Sequence, residues 1–487
     1  GFRDHSQARR DLTNAKLAFD VAPDTHVTLI GNSQYQPETQ DPAGLTRAEW
    51  SANARAVDPS VIAFDTRKTI NQVQGGAAVD HTFSDTLQLH VDAYGGRRLI
   101  RQYQGFSGSF PSSSGGVPDV DRDFGGVGAR LVWRTQALAR PLTLTLGGDT
   151  DREHDLRTGY VNNNGALGEL RRDEDDVVLS HDFYAQAEWA FAPRWEGTAG
   201  IRTSSVRYSS VDHYITAVNP NDSGDQSYDD TSPVLGLVYH ASDIANVYAS
   251  YGEGFETPTF TEMAYRNGGT GLNFALRPAR SHAVESGVKL ILPGNQRLNL
   301  ALFNVNTRNE IVVDQATGGR TTYKNAGATH RRGAEALWDA KLASNLNAHV
   351  ALTWLRAEFV DAFASGTAIV PAGARLPGVP AKEAYGELAW APGGETGFNA
   401  ALEAQYADKL YVNERNSDAA PAYAVMNARV GYAQTVGVAT WSAFARLNNL
   451  FDRNYAGSVI VGDSNGRFFE PAPGRNWFVG ANLRVRI

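Results

Sequence analysis

The residues best equipped to hold a ligand are cations set beside aromatic rings. Arg320, Tyr323 and Lys324 fall within one short stretch, Arg467, Phe468 and Arg475 within another, and Arg97, Arg98 and Arg101 within a third; Arg266 and Arg277 stand eleven positions apart. A guanidinium fork matches a carboxylate or phosphate bidentately, and an ammonium group acts as a point charge. Metal chemistry is poorly served. The eleven histidines are scattered, with no His-Glu-x-x-His spacing, and His213 and His282 read as polar residues near strand ends. Only Met263 and Met426 could supply thioether sulfur, too little for a soft copper site. Asp119-x-Asp121-x-Asp123 opens like a calcium loop, but Phe124 stands where glycine is needed and Arg130 where glutamate is needed, so it reads as a solvated acidic loop. No Ser/His or Asp/His pair at one depth suggests catalysis, and cysteine is absent, which removes disulfides, thiolate metal sites and thiol nucleophiles together. No enzyme, cofactor or metal centre is expected.

Such residues need elements to position them, and the end of the chain shows which kind. Trp477, Val479, Ala481, Leu483, Val485 and Ile487 share one face, while Asn476, Phe478, Gly480, Asn482, Arg484 and Arg486 share the other. Only a strand has this period of two. On a transmembrane barrel the apolar row would face lipid and the polar row the lumen. Composition agrees: the 487 residues include 48 Gly, 19 Tyr, 21 Phe and 9 Trp, yet no run of about eighteen apolar residues could form a membrane helix. The net charge of −8 is spread along the chain and argues against nucleic acid as a partner.

Strand-like stretches recur throughout, about nineteen in all, joined alternately by short and long connections. Short ones are Ala22–Asp24, Pro293–Asn295 and Pro392–Gly394; long ones span 37–65, 104–122, 158–176, 210–229, 253–280, 362–379 and 456–473. A barrel inserted from one side keeps its short turns in the periplasm and its long loops outside, whereas a sandwich or propeller has no reason to sort them. The fold expected is therefore an all-β transmembrane antiparallel barrel over residues 1–487. Counting back from a last strand that ends in the periplasm makes the first strand a descending one, so about three strands are expected to precede this sequence.

Several segments in order resemble the TonB-dependent outer-membrane transporters. Asn449-Leu450-Phe451-Asp452-Arg453-Asn454-Tyr455 is similar to the family's penultimate-strand signature, and Tyr248 to Pro258, Leu276-Arg277-Pro278, Glu285 to Lys289, and Asn325-Ala326-Gly327 with Gly333-Ala334-Glu335 fit its middle. The resemblance implies a barrel of the roughly 22-strand type around a plugged lumen. The family's amino-terminal plug and TonB box are absent from this sequence, and Ile487 stands where such barrels often end in an aromatic. Within the family, Glu310 to Asp314, Gly318 to Gly327, and Gly457 to Val461 through Ser464 to Arg467 to Asn476 are most similar to the pyrroloquinoline quinone transporters; ferric-siderophore receptors share much of this scaffold.

By that resemblance the protein is a monomeric receptor of the bacterial outer membrane. It would capture an anionic ligand, pyrroloquinoline quinone or a ferric siderophore, and import it with the TonB complex. The ligand site would draw on Arg97, Arg98, Arg101, Arg266, Arg277, Arg320, Tyr323, Lys324, Arg467, Phe468 and Arg475, ringing the outer vestibule. The alternative for each arginine is a lipopolysaccharide phosphate or a carboxylate of the barrel. Glu285, Lys289, Glu335, Arg446, Arg484 and Arg486 are expected to face the lumen. The rival classes are an outer-membrane enzyme and a plug-free pore.

Overall fold

The structure is a computed structural model that describes residues 2–111, 113–266, 271–317, 320–366 and 368–485, without the side chains of residues 316, 317 and 320. Nineteen strands form one antiparallel sheet. The first seven are β1 (Asp11–Ala22), β2 (Thr25–Gln40), β3 (Arg67–Ser84), β4 (Leu87–Tyr103), β5 (Val117–Ala137), β6 (Arg140–Asn163) and β7 (Ala166–Ala192). Then come β8 (Trp195–Asp212), β9 (Gly224–Ser242), β10 (Ala245–Glu256), β11 (Ala279–Leu292), β12 (Gln296–Arg308) and β13 (Thr329–Ala343). The last are β14 (Leu346–Phe359), β15 (Lys382–Trp390), β16 (Gly397–Ala407), β17 (Tyr423–Val436), β18 (Ala439–Asn448) and β19 (Asn476–Val485). Each strand pairs with the next in sequence, so the sheet is an unbroken meander. Among the described residues β1 pairs only with β2 and β19 only with β18.

The register carries the alternation across the whole sheet. Val91 opposes Ala129, and Asp92 opposes Gly128, which in turn opposes Asp149. One face therefore collects Leu87, Leu89, Val91, Leu131, Trp133, Leu144 and Leu146, and the other Asp92, Asp149, Asp151, Glu153 and Asp155. The apolar face is bare: Leu146 is 59% exposed, Leu483 71% and Trp477 74%. In water such a surface would drive aggregation; against hydrocarbon it is the stable face, and the paired meander leaves few backbone groups unsatisfied there. No helix among the described residues is long and apolar enough to cross a membrane; the strands do the crossing.

The sorting of connections holds with one exception. The expected long loop 158–176 is instead a continuation of β6 and β7 to a two-residue turn, Asn164-Gly165, with φ of 49° and 87°. Both residues in the left-handed region define the hairpin turn that Asn-Gly favours. At roughly 3.3 Å per residue, the 27 residues of β7 far exceed a membrane band of roughly 25 Å, so this hairpin stands well clear of the bilayer. Asp119, Asp121 and Asp123 also lie on a strand, β5, rather than in a loop. Two further long connections, 309–328 and 408–422, link β12 to β13 and β16 to β17, and the first carries a hairpin of its own, Ile311–Thr317 with Arg320–Asn325.

Candidate functional site

All the long connections lie at one end of the sheet and interlock. Residues 41–66 hold two short helices, α1 (Arg47–Ala52), opened by a Thr46/Glu49 capping box, and α2 (Pro59–Ala63), capped by Asp58. This loop reaches across to 449–475. Leu45 and Phe469 exchange backbone hydrogen bonds of 2.8 and 3.0 Å. Phe469 is fully buried, stacks on Trp50 at 5.1 Å, and lies under the Arg47 guanidinium at 4.6 Å. Arg47 Nε also donates to Asp418 at 2.9 Å, which draws in loop 408–422.

On the opposite side, the described parts of loop 257–278 fold into the mouth. Tyr208 and Tyr228 stand on the polar, inward face and close over Met263, which is fully buried in a short helix, α3 (Phe260–Met263). Tyr228 donates its hydroxyl to the Leu276 carbonyl at 2.9 Å. Asn325, at the end of the hairpin Ile311–Thr317/Arg320–Asn325, clamps the Arg277 backbone from both sides at 2.7 and 2.8 Å. A third cluster, built on Val312, Phe359, Val370 and Leu376, joins that hairpin to loop 360–381.

Beneath Tyr265 lies a group of buried charges. Arg172 Nε contacts Glu174 at 3.0 Å, its Nη2 donates to the Ala264 carbonyl at 3.1 Å, and its guanidinium lies over the Tyr265 ring at 5.4 Å. Arg157 stands 4.0 Å from Glu174, and Asp176 beside them is 0% exposed with neither carboxylate oxygen hydrogen-bonded among the described residues.

The expected ligand residues have different surroundings. Arg97 and Arg101 share the outward face of β4 with Leu99 and are matched by Asp121 and Asp119, with Nε contacts of 2.8 Å each; Arg98 points to the other face, its Nε buried without a hydrogen-bond partner. Lys324 is paired with Asp314 at 2.6 Å, Arg266 reaches Asp222 at 3.4 Å, and Arg467 is paired with Asp58. Tyr323 packs against the Met263 cluster and Phe468 against the Phe469 cluster. Arg277 and Arg475 are exposed and have no carboxylate partner among the described residues. The Arg320 side chain lies outside the described part, as do Arg486 and Ile487. Of the expected lumen charges, Tyr248 donates to Glu285 at 2.6 Å with Lys289 over its ring, and Arg446 grips Glu403 through both Nη atoms at 2.9 and 2.6 Å.

Two loop carboxyls respond to acid with opposite sign. Burial works against the Asp58 carboxylate, but hydrogen bonds from Ser60 and the Arg467 guanidinium outweigh it and hold its pKa below 3.8. Its contribution is complete above that value and is lost as pH falls through the lowered one. Burial pushes the Glu414 carboxyl above 4.5, so its ionisation costs stability at neutral pH, and the cost disappears as pH falls below 4.5. Mild acid should therefore tighten loop 408–422 before stronger acid loosens 41–66. Hydrogen exchange against pH checks this: Glu414→Gln should protect 408–422 at neutral pH and abolish its mild-acid response.

A family model described as TonB dependent receptor-like, beta-barrel matches residues 4–450. The metal-pseudopaline receptor CntO of Pseudomonas aeruginosa is 26% identical over 308 residues, which are 58% of this chain and 38% of that protein. The vitamin B12 transporter BtuB of Vibrio vulnificus is 27% identical over 262 residues, 51% of this chain and 36% of that protein. The matched stretches thus span well under half the length of these relatives. Among solved structures, the unliganded ferric citrate transporter FecA superposes with a TM-score of 0.79 at 17% identity, covering 99% of this chain and 71% of FecA. The siderophore receptor PiuA from Acinetobacter baumannii gives 0.78 at 16% identity, covering 99% and 74%. At these identities the likeness is one of fold.

Proposed function

The chain belongs to the TonB-dependent receptor-like β-barrel family, and from that premise we propose that it forms the wall and mouth of a receptor that captures a scarce metal chelate of the ferric-siderophore class. Members of the family are outer-membrane β-barrels of Gram-negative bacteria, and the chain has that location. The observation that carries the reading is the convergence of the long loops. They sit at one end of a sheet whose inner face is polar, and one of them packs on the inward tyrosines, so a solute arriving from outside meets a structured aromatic mouth before it meets the lumen. Release into the periplasm would depend on TonB and on a plug within the barrel. No bond-making step is assigned to the chain.

Names of relatives point the same way: CntO is a metal-pseudopaline receptor and PiuA a siderophore receptor. A second reading, pyrroloquinoline quinone, rests on the segments around Glu310–Asp314 and Gly457–Asn476. Both readings need cations free to meet the ligand, and Arg277 and Arg475 best meet that condition.

Calorimetric titration of the intact receptor with a panel of ferric siderophores and with pyrroloquinoline quinone separates the readings. One ferric siderophore should bind, and the Arg277→Ala/Arg475→Ala variant should bind it roughly tenfold or more weakly, since a charge-assisted hydrogen bond is worth about 1.5–3 kcal/mol. Heat from the quinone alone would move the assignment to the second reading, and heat from none of the panel would remove both.

A further inference from the structure

We propose that Asp176 is the proton switch of a latch holding residues 263–266 of the mouth loop against the β6–β7 hairpin, so that the mouth closes as its surroundings turn mildly acidic. The inference rests on the receptor reading above and concerns how that mouth is regulated. Asp176 points inward from β7 and is 0% exposed, yet neither of its carboxylate oxygens is hydrogen-bonded among the described residues. Arg157 Nη1 and Glu174 Oε2, 4.0 Å apart, are likewise buried without a hydrogen bond there. A carboxylate that gives up its hydration and accepts no hydrogen bond in return is costly when charged, and such a site favours the neutral acid. A neutral carboxyl is also a donor, and the orphaned Glu174 oxygen in the same cluster is an acceptor.

The groups that face Asp176 come from three strands and the loop. Glu174 on β7 opposes its ionisation, while Arg157 on β6, Arg172 on β7 and the Ser210 hydroxyl on β8 favour it, and Tyr265 faces both guanidiniums from the loop. Burial has the largest influence and the Glu174 charge the next, and together they lift the Asp176 carboxyl from 3.8 to about 6. This part of β7 stands outside the bilayer: above Phe183 the outward row of the hairpin turns polar, at His181 opposite Thr150 and at Arg152 opposite Leu179, before Asp176 is reached. On the outward face, hydrogen bonds from His154 and then His213 hold the Asp175 carboxyl below its usual range, so it stays ionised where Asp176 titrates. The cover over the cluster is the loop. Arg172 Nη2 donates to the Ala264 carbonyl, the guanidinium lies over the Tyr265 ring, and the Tyr265 hydroxyl is hydrogen-bonded to Ser114. Lifting 263–266 admits water to Asp176 and returns it toward the ordinary carboxylate value, so the closed loop binds the proton more tightly than the open one. By linkage, closure is favoured most below 3.8, and that gain is lost as pH rises through about 6.

The test is amide hydrogen exchange of residues 259–266 in the intact, ligand-free receptor at pH 5 and pH 7.5, corrected for the intrinsic pH dependence of exchange. Protection should be roughly tenfold greater at the lower pH, the ratio that linkage gives for a carboxyl titrating near 6 when closed and near 4 when open. Asp176→Asn, neutral and of the same shape, should show the low-pH protection at both values. Glu174→Gln keeps Asp176 and should keep a pH response. Equal protection of the parent at the two pH values overturns the proposal, and this arm needs no variant to fold. A full response surviving in Asp176→Asn overturns it too, by placing the switch on another group. Unchanged heat-modifiable migration of each variant establishes that the barrel has folded. Because no ligand is present, these outcomes are separate from the siderophore titration, whose failure would strike the receptor reading and leave the latch standing.

Discussion

Replacing Phe469 by alanine should release two loops whose contacting residues, Phe469 with Trp50 and Leu45, lie more than four hundred positions apart in the chain. The ring is fully buried, stacked on Trp50 and capped by Arg47. Truncating such a side chain typically costs about 3–5 kcal/mol, the transfer energy plus the cavity left behind. Residues 41–66 and 449–475 meet through that ring and the Leu45 backbone bridge, so they should lose amide exchange protection together, by a factor of a hundred or more at about 1.4 kcal/mol per tenfold. Strand amides of β2 and β18 should not change, because their hydrogen bonds do not involve the loop cluster. Loss of protection in 449–475 alone would show that the loops fold separately and that the clasp is only a contact.

The second large effect concerns Arg172. Its removal leaves Glu174 and Asp176 buried beside Arg157 alone, and breaking a buried ion pair from one side costs about 3–5 kcal/mol. The Arg172→Ala variant also loses the bond to the Ala264 carbonyl and the contact with the Tyr265 ring. Loop 257–278 should therefore come off the β6–β7 hairpin, seen as new protease sensitivity within 257–278 in the intact receptor. The double variant Arg172→Met/Glu174→Met should recover much of the lost protection, since a buried pair replaced by apolar groups of similar volume is often close to neutral. If the double variant is as sensitive as the single one, the Ala264 and Tyr265 contacts hold the loop and the ion pair does not.

How far these features could be read from the letters depends on how local their causes are. The alternation in β19 needs no tertiary information, because successive side chains on a strand point to opposite faces wherever the strand lies. The sorting of short and long connections was legible for the same reason. The β6–β7 hairpin was not, although Asn164-Gly165 is a strong turn signal. Above the membrane both faces meet water or loops, so the run Asp173-Glu174-Asp175-Asp176 shows no apolar alternation to mark it as strand. The ligand arginines show a different limit. Their residue types suit anion binding, but their availability depends on partners that sequence distance hides: Arg97 finds Asp121 24 positions on, and Arg467 finds Asp58 409 positions back. Cation pairs such as Arg280 with Arg308 and Arg332 with Arg356 show the same limit, because single cations near strand ends look alike until the register sets them opposite each other.

The wall of this barrel is one residue thick, and that has an evolutionary consequence. Each strand serves two masters on alternate letters: odd positions of β4, for example, answer to the bilayer, and even positions to whatever passes through or fills the interior. Adaptation to a new membrane and adaptation to a new nutrient can proceed in the same stretch of gene with little interference, because a substitution alters only one of the two environments. A saturating mutational scan, selected once for survival under altered lipid composition and once for uptake, should resolve into two interleaved sets of tolerant positions offset by a single residue.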